Sequence, residues 1–441
     1  MPKDAFDLVI GLGLSGRSVI RYLAEQGMAV RALDTRAEPA GIDHLRLQYP
    51  KLKLHTGGFK KSWMQRSQRL IVSPGVAVST PAIAEQIAAG KEVIGDIELF
   101  ARAASRPLVG ITGSNAKSTV VTLLGEVAQA CGKQPGVGGN LGTPALDLLG
   151  LDAGLYILEL SSFQLETTYS LNAQVASILN VSQDHLDRYS KFSDYLAAKQ
   201  RIYDGCQVAV WNRDDLATRP QAPAPREITF GTHPQADYRL DPQRHELLHN
   251  GERLLHLDEL TLTGHHNAMN VLAVLAMSHA LGFDRDTALA TVKGFAGLPH
   301  RCQKIAEAGD VRWFNDSKAT NVGATLAALT GIGEAVHGKV ILIAGGQGKG
   351  QDFSPLAEPA RQYLRAALLL GEDADKVADG LNGVPCERVG DMATAVKRAA
   401  QLARPGDAVL LSPACASFDM YSGYAERGDD FTARAREVSH V

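Results

Sequence analysis

Two strand-to-helix turns constrain this chain more than any other feature. The first, Gly11-Leu-Gly-Leu-Ser-Gly16, follows the apolar run Asp7–Ile10 and opens the helical pattern SVIRYLAEQG, which ends at Gly27. The second, Gly110-Ile-Thr-Gly-Ser-Asn-Ala-Lys-Ser-Thr119, grows out of the strand Leu108–Thr112 and opens a helix at Lys117. Tight turns of this kind belong to βαβ units, whose strands run parallel. Two of them, in separate stretches of chain, predict more than one α/β domain with mostly parallel sheets.

The remaining pattern agrees. At 441 residues the chain exceeds one core of roughly 100–200 residues. Strands are expected at Ala29–Leu33, Leu70–Val72, Tyr156–Leu160 and Val175–Val181, and short strands with polar turns between Ile228 and Leu262. A helix is expected from Asn267 to Leu281, and later strands at Val311–Phe314, Val340–Ile343, Ala367–Leu370 and Val409–Leu411. Val120, Leu124, Val127 and Cys131 share one helix face. The Pro-rich stretch 219–227 reads as a surface loop. We divide the chain into residues 1–95, 96–299 and 300–441.

Composition excludes several classes. Forty-five Lys+Arg against 48 Asp+Glu leave a net charge of −3, so neither nucleic acid nor an anionic membrane is an expected partner. No apolar run approaches the roughly 18 residues of a membrane span, and MPKDAF has no signal-peptide core. Five cysteines with no CxxC pair argue against a disulfide framework or zinc ribbon. The expected compartment is the cytoplasm.

The glycine turns carry the chemistry. Gly11, Gly13 and Gly16 match G-x-G-x-x-G, and Asp34 ends the next strand about 20 residues on, as in a dinucleotide site. NAD(P), another nucleotide diphosphate and a plain tight turn all remain open. In the second turn, Lys117 and Ser118 have the P-loop plan: backbone N–H groups cradle phosphates, Lys117 neutralises them and Ser118 ligates Mg²⁺. Ile111 and Ala116 stand where that motif has glycines. The bland alternative is a Ser/Thr-rich helix cap. Glu159, ending an apolar strand, is a candidate Mg²⁺ ligand. A dehydrogenase has no use for Lys117-Ser118-Thr119. An ATP-driven enzyme acting on a nucleotide conjugate uses both turns.

Further motifs occur in order along essentially the whole chain: LELSSFQLE (158–166), NVSQDHLDRY (180–189), AAKQRIY (197–203), HNAMN (266–270), LPHR (298–301), NDSKATN (315–321) and LSPACASFD (411–419). With GITGSNAKST they resemble the Mur ligases, ATP-dependent amide ligases of cell-wall precursor synthesis. The resemblance implies a Rossmann-like N-terminal domain, a central P-loop ATPase-type domain with a small β region, and a Rossmann-like C-terminal domain. It implies a monomer that adds D-glutamate to UDP-N-acetylmuramoyl-L-alanine through an acyl phosphate, with ATP and two Mg²⁺.

Residue by residue, the resemblance implies that Gly113, Ser114, Asn115, Ala116, Lys117, Ser118, Thr119, Asn270, Arg301, Asp316 and Lys318 bind ATP. Ser118 and Glu159 hold one Mg²⁺; His185 and a carbamylated Lys199 serve the second. Leu14, Ser15, Asp34, Thr35, Arg36, Ser73, Gly75, Asn140 and His185 hold the UDP substrate. Thr320, Lys349, Ser417, Phe418 and Tyr424 frame the incoming amino acid. Lys117, His185 and Lys199 are the catalytic set. Without the resemblance, Lys199 reads as an exposed helical lysine and His185 as a loop histidine.

Some residues depart from the family pattern or invite other readings. Ala116 costs roughly 1 kcal/mol if its φ is positive. Gln303 stands where an acid is frequent, and Tyr424 where Phe is. His265-His266 lack metal-ligating partners and read as surface or capping residues. Cys415 reads as a small loop residue rather than a nucleophile, and Trp211 and Trp313 as packing residues. The competing functions are a sibling ligase, a folylpolyglutamate synthase, an NAD(P)-dependent oxidoreductase and an inactive nucleotide-binding homologue.

Overall fold

The computed structural model describes residues 5–184, 188–189, 191–262 and 264–439. Among them the strands build three sheets. The first has five parallel strands, in the order Lys53–Thr56, Val30–Asp34, Asp7–Ile10, Arg69–Val72, Glu92–Ile94. The chain reverses direction across this sheet at Asp7–Ile10. The first glycine turn therefore opens at the switch point, where parallel sheets leave a crevice.

The central sheet has nine strands. Leu108–Thr112 lies parallel between Val175–Ile178 and Leu155–Glu159, with Pro135–Gly139 at the edge beyond. At the other end Tyr238–Asp241, Glu246–His249 and Glu252–His256 turn antiparallel, the expected small β region. The C-terminal sheet has six strands. Only its edge pair, Gln303–Ala308 with Val311–Asn315, is antiparallel.

Six strands escaped the pattern: Lys53–Thr56, Glu92–Ile94, Pro135–Gly139, Val208–Asn212, Gln303–Ala308 and Cys386–Arg388. Pro135–Gly139, PGVGG, has strand-breaking composition. It is extended because its neighbours press close: a Cβ on Gly138 would lie 2.3 Å from the Thr143 carbonyl oxygen, and one on Gly136 2.9 Å from Tyr156. Gln303–Ala308, QKIAEA, alternates only weakly and is half-exposed along the edge. Its partner strand supplies the pairing.

Apolar packing shows which elements share a core. The helix His265–Ala280 is buried along most of its length, against the helix Lys117–Ala130 and the central sheet. A second cluster joins Val9 and Ile71 of the first sheet, and Val19 of the helix Leu14–Glu25, to Ile97, Phe100, Leu158 and Ile178. Residue 96 thus divides two sheets that share one core. The C-terminal sheet carries its own clusters on its two faces. Trp211 and Trp313 are buried in packing positions. No helix among the described residues is long and apolar enough to cross a membrane.

Candidate functional site

Parallel strands deliver their C-terminal ends to one edge, and the site is built from those ends. In the central sheet Thr112, Glu159, Gly139 and Ile178 finish parallel strands, and the loops after them hold Lys117, Ser161, Asn140 and Asn180. In the C-terminal sheet Val311–Asn315, Val340–Gly345 and Ala408–Leu411 likewise precede Asp316 to Thr320, Lys349 and Ser417. Residues far apart in sequence therefore converge.

The second glycine turn is braced by its own hydrogen bonds. Asn115 N–H donates to Asn180 Oδ1 (2.8 Å), and Asn180 Nδ2 donates back to the Asn115 carbonyl (3.2 Å). The Ser114 hydroxyl lies 2.9 Å from the Tyr195 hydroxyl. Lys117 Nζ folds over its own loop onto the Gly113 and Ser114 carbonyls (2.7 and 2.9 Å).

Ala116 sits at φ 67° and ψ −5°, the left-handed region. Its Cβ makes that backbone costly by about 1 kcal/mol. We expect Ala116→Gly to raise the unfolding free energy in urea by no more than about 0.5 kcal/mol, the strain relief being largely offset by the freer unfolded glycine. A loss of stability would show that the packing of the Ala116 methyl outweighs its strain.

Ser118, Glu159, Asn140 and Arg301 meet across two domains. Ser118 Oγ donates to Glu159 Oε2 (2.6 Å), Asn140 Nδ2 donates to Glu159 Oε1 (2.7 Å), and Arg301 Nη2 donates to Ser118 Oγ (2.7 Å). A hydroxyl and a carboxylate side by side form an oxygen donor set suited to Mg²⁺, which keeps several waters and phosphate oxygens of its own. Among the described residues no group of three His, Cys, Asp or Glu is placed to hold a metal ion.

Lys199 is buried, not exposed: 2% of its surface is accessible. It lies on the helix Phe192–Gln200, donates to the Gly113 carbonyl (2.9 Å) and the Thr112 hydroxyl (3.4 Å), and lies over the Tyr195 ring. Burial, and then the nearby Lys117 charge, push its ammonium well below the usual lysine range. Burial also lowers Lys117, and takes Lys318 down to about 8 with help from Arg301. Asp316 is pushed up to about 7 by burial, against hydrogen bonds from Ser412 and Cys302 N–H. With Lys199 set aside, Lys117, Lys318, Lys349 and Arg301 still surround one space and give a field suited to a polyphosphate.

Three cavities adjoin one another. A central one of about 330 Å³ is lined by Ser114, Asn115, Ala116, Lys117, Ser118, Asn140, Glu159, Lys199, Arg301, Lys318, Thr320, Lys349, Ser417, Phe418 and Tyr424. Lys318 Nζ lies 4.0 Å from the Tyr424 ring centre. A second, of about 420 Å³, shares Asn115, Ala116, Arg301 and Lys318 with it, and adds Thr119, Asn270, Asp316 and the apolar Phe230, Met269 and Leu326. A third, of about 520 Å³, shares Asn140 and holds Leu14, Ser15, Asp34, Thr35, Arg36, Ser73 and Gly75.

In the third cavity Asp34 is already engaged. Its carboxylate accepts from Leu12 N–H (2.8 Å), from Arg36 N–H and Nε (both 2.9 Å) and from Arg36 Nη2 (2.8 Å). Burial alone would raise its carboxyl; the Arg36 guanidinium and those N–H groups outweigh burial and hold it below its ordinary value. Asp34 thus anchors Arg36 and the glycine turn.

Of the expected residues, Gly113 contributes its carbonyl to Lys117 and Lys199, and His185 lies outside the described residues. His266 is half-buried rather than a free surface residue: it lines the second cavity, its buried Nδ1 has no partner among the described residues, and burial lowers its imidazole to about 4. Cys415 is buried, and burial raises its thiol to about 12, as suits a packed loop residue. The sequence reading passed over Phe163, Asp184, Tyr195 and Asn321, which line the central cavity. Tyr195 carried a usable signal, since it stands one helical turn before Lys199.

Known proteins resemble this chain along its length. Residues 6–95 match the family model described as Mur ligase MurD-like, N-terminal domain; 111–278 match the Mur ligase middle domain; 300–415 match the Mur ligase, glutamate ligase domain. A UDP-N-acetylmuramoylalanine–D-glutamate ligase of Alcanivorax borkumensis is 75% identical over 440 residues, covering 100% of both chains. One of Pseudomonas aeruginosa is 49% identical over 445 residues, covering 99% of each. Among solved structures, the MurF ligase of Thermotoga maritima in complex with ADP superposes with a TM-score of 0.64 at 15% identity, covering 93% of this chain and 95% of that one. The UDP-N-acetylmuramate-alanine ligase of the same organism gives 0.61 at 18%, covering 98% and 99%. At such identities these two speak to the fold alone.

Proposed function

The chain belongs to the Mur ligase family, and from that premise we propose that it adds D-glutamate to UDP-N-acetylmuramoyl-L-alanine, consuming ATP, in peptidoglycan precursor synthesis. The observation that carries this reading is the run of three adjoining cavities, joined through Asn140 on one side and Arg301 and Lys318 on the other. A nucleotide-linked carboxylate, a triphosphate and an amine have to meet, and the central cavity borders both of the others. The first glycine turn is then assigned to a uridine nucleotide rather than to NAD(P).

The chemistry follows from the reactants. A carboxylate is a poor electrophile, so an oxygen of the alanine carboxylate attacks the terminal phosphorus of ATP and ADP leaves. The D-glutamate nitrogen then attacks the carbonyl carbon of the acyl phosphate, loses a proton, and expels phosphate as the amide forms. Anions approach one another at both steps, and Lys117, Arg301 and Lys318 are the groups that offset their repulsion. Asn140 orients the acyl end. Thr320, Lys349, Ser417, Phe418 and Tyr424 receive the amino acid.

Ser118 and Glu159 would hold one Mg²⁺, and His185 with carbamylated Lys199 a second. Bound there, Mg²⁺ supplies Lewis-acid stabilisation of phosphate charge. The lowered basicity of Lys199 supports the carbamate, because only a neutral amine has the lone pair to take up CO₂. The enzyme is read as a cytoplasmic monomer.

Phosphate release by the purified protein tests the function. It should require UDP-N-acetylmuramoyl-L-alanine and glutamate together and favour the D isomer. Equal rates with L-glutamate, or with the muramoyl substrate omitted, would refute the assignment.

A further inference from the structure

The helix Val322–Ala335 of the C-terminal domain begins at Asn321, and this buried side chain faces two ways. Its Oδ1 accepts from Ala324 N–H (2.9 Å), which closes the helix cap. Its Nδ2 reaches into the central domain and donates to Asn115 Oδ1 in the phosphate loop (3.2 Å) and to Asp184 Oδ2 (3.2 Å). The same turn packs closely behind it. A Cβ on Gly323 would lie 3.1 Å from Ser182 Oγ and 3.5 Å from Asn115 Nδ2.

Both ends of this contact are stiff. Asn115 is tied to Asn180 through its backbone. On the other side Ala319 N–H donates to the Asp316 carbonyl, Thr320 N–H to the Lys318 carbonyl, and Lys318 N–H to the His300 carbonyl. The segment from Asp316 to Asn321 therefore moves as one piece, and where Asn321 docks decides where Lys318 and Thr320 stand relative to Lys117.

We propose that Asn321 is a positioning residue that seats the C-terminal domain on the phosphate loop. Seated, it brings Lys318 and Thr320 into one cavity with Lys117, while its own Nδ2 is turned to Asn115 and Asp184. The side chain has to cap and donate at once. An aspartate keeps the capping oxygen but turns the donor into a second oxygen facing Asn115 Oδ1 and the Asp184 carboxylate. A serine keeps a capping oxygen, adds no charge and lacks the amide that spans the boundary. The proposal rests on the ligase reading for its effect on turnover.

The test compares wild type, Asn321→Asp and Asn321→Ser in ligation, thermal melting and small-angle scattering with a non-hydrolysable ATP analogue. We expect Asn321→Asp to lose roughly 100-fold in kcat, the scale for misplacing reacting groups by about 1 Å. Its melting temperature and its KM for the UDP substrate should stay near wild type, and its radius of gyration should be larger. Asn321→Ser should fall between the two. Wild-type turnover in Asn321→Asp overturns the proposal. So does an equal loss in both variants accompanied by a lowered melting temperature, which would mark a damaged cap. Should wild type itself fail to ligate, the ligase reading falls, and scattering still decides the docking: an unchanged radius in Asn321→Asp overturns it.

Discussion

Lys117→Ala is expected to abolish ligation while binding of UDP-N-acetylmuramoyl-L-alanine survives. Lys117 Nζ hangs over the phosphate loop, held by the Gly113 and Ser114 carbonyls. It is the only charge within that loop able to follow a phosphoryl group in transfer. Removing one such preorganised donor typically costs about 10²–10³ in rate, and the loss here includes a full charge in a buried site. The muramoyl nucleotide is assigned to a different cavity, around Asp34, Arg36 and Ser73. The variant should therefore separate the two functions: calorimetry near wild type for the UDP substrate, phosphate release close to background. Near wild-type turnover would remove the phosphate-loop assignment.

Lys199→Ala should also lose most activity, and for a reason that reverses the usual role of a lysine. A carbamate carries negative charge and two oxygens, so its loss would take an anionic anchor from the second Mg²⁺. A small carboxylate such as acetate or formate, added from solution, fits the vacated space with the right charge and should restore part of the rate. An exposed helical lysine would instead change stability within about ±0.5 kcal/mol and leave the rate alone. Its burial between the Gly113 carbonyl and the Tyr195 ring already argues against that alternative. Full activity in Lys199→Ala without any additive would sink the carbamate.

Much of the architecture was legible in the chain. The two glycine turns identified parallel α/β units because so few local conformations lead a strand directly into a helix around a phosphate-sized gap. Strand interiors such as Val340–Gly345 were legible because apolar runs mark strands buried on both faces. The strand Pro135–Gly139 was not. Its glycines suit no strand on propensity, and their requirement appears only when Tyr156 and Thr143 are in place beside them. The charge state and burial of Lys199 were equally hidden, since AAKQRIY has no periodicity that distinguishes an inward lysine from an exposed one.

The sequence by itself determined the order of the elements and the chemical types near the strand ends: a lysine and serine opening one helix, a carboxylate closing one strand, loops rich in polar residues after others. Those are local properties, set by backbone sterics and hydrophobic period. Tertiary structure alone decided which of these residues share a space. It set the backbone of Ala116 at positive φ, brought Asp34 to the Leu12 N–H of the first turn, brought Arg301 to Ser118 across a domain boundary, and laid Asn321 against Asn115. The physical reason is that parallel strand order and domain docking bring together residues far apart in the chain, and neither the order nor the docking is written in any local stretch of it.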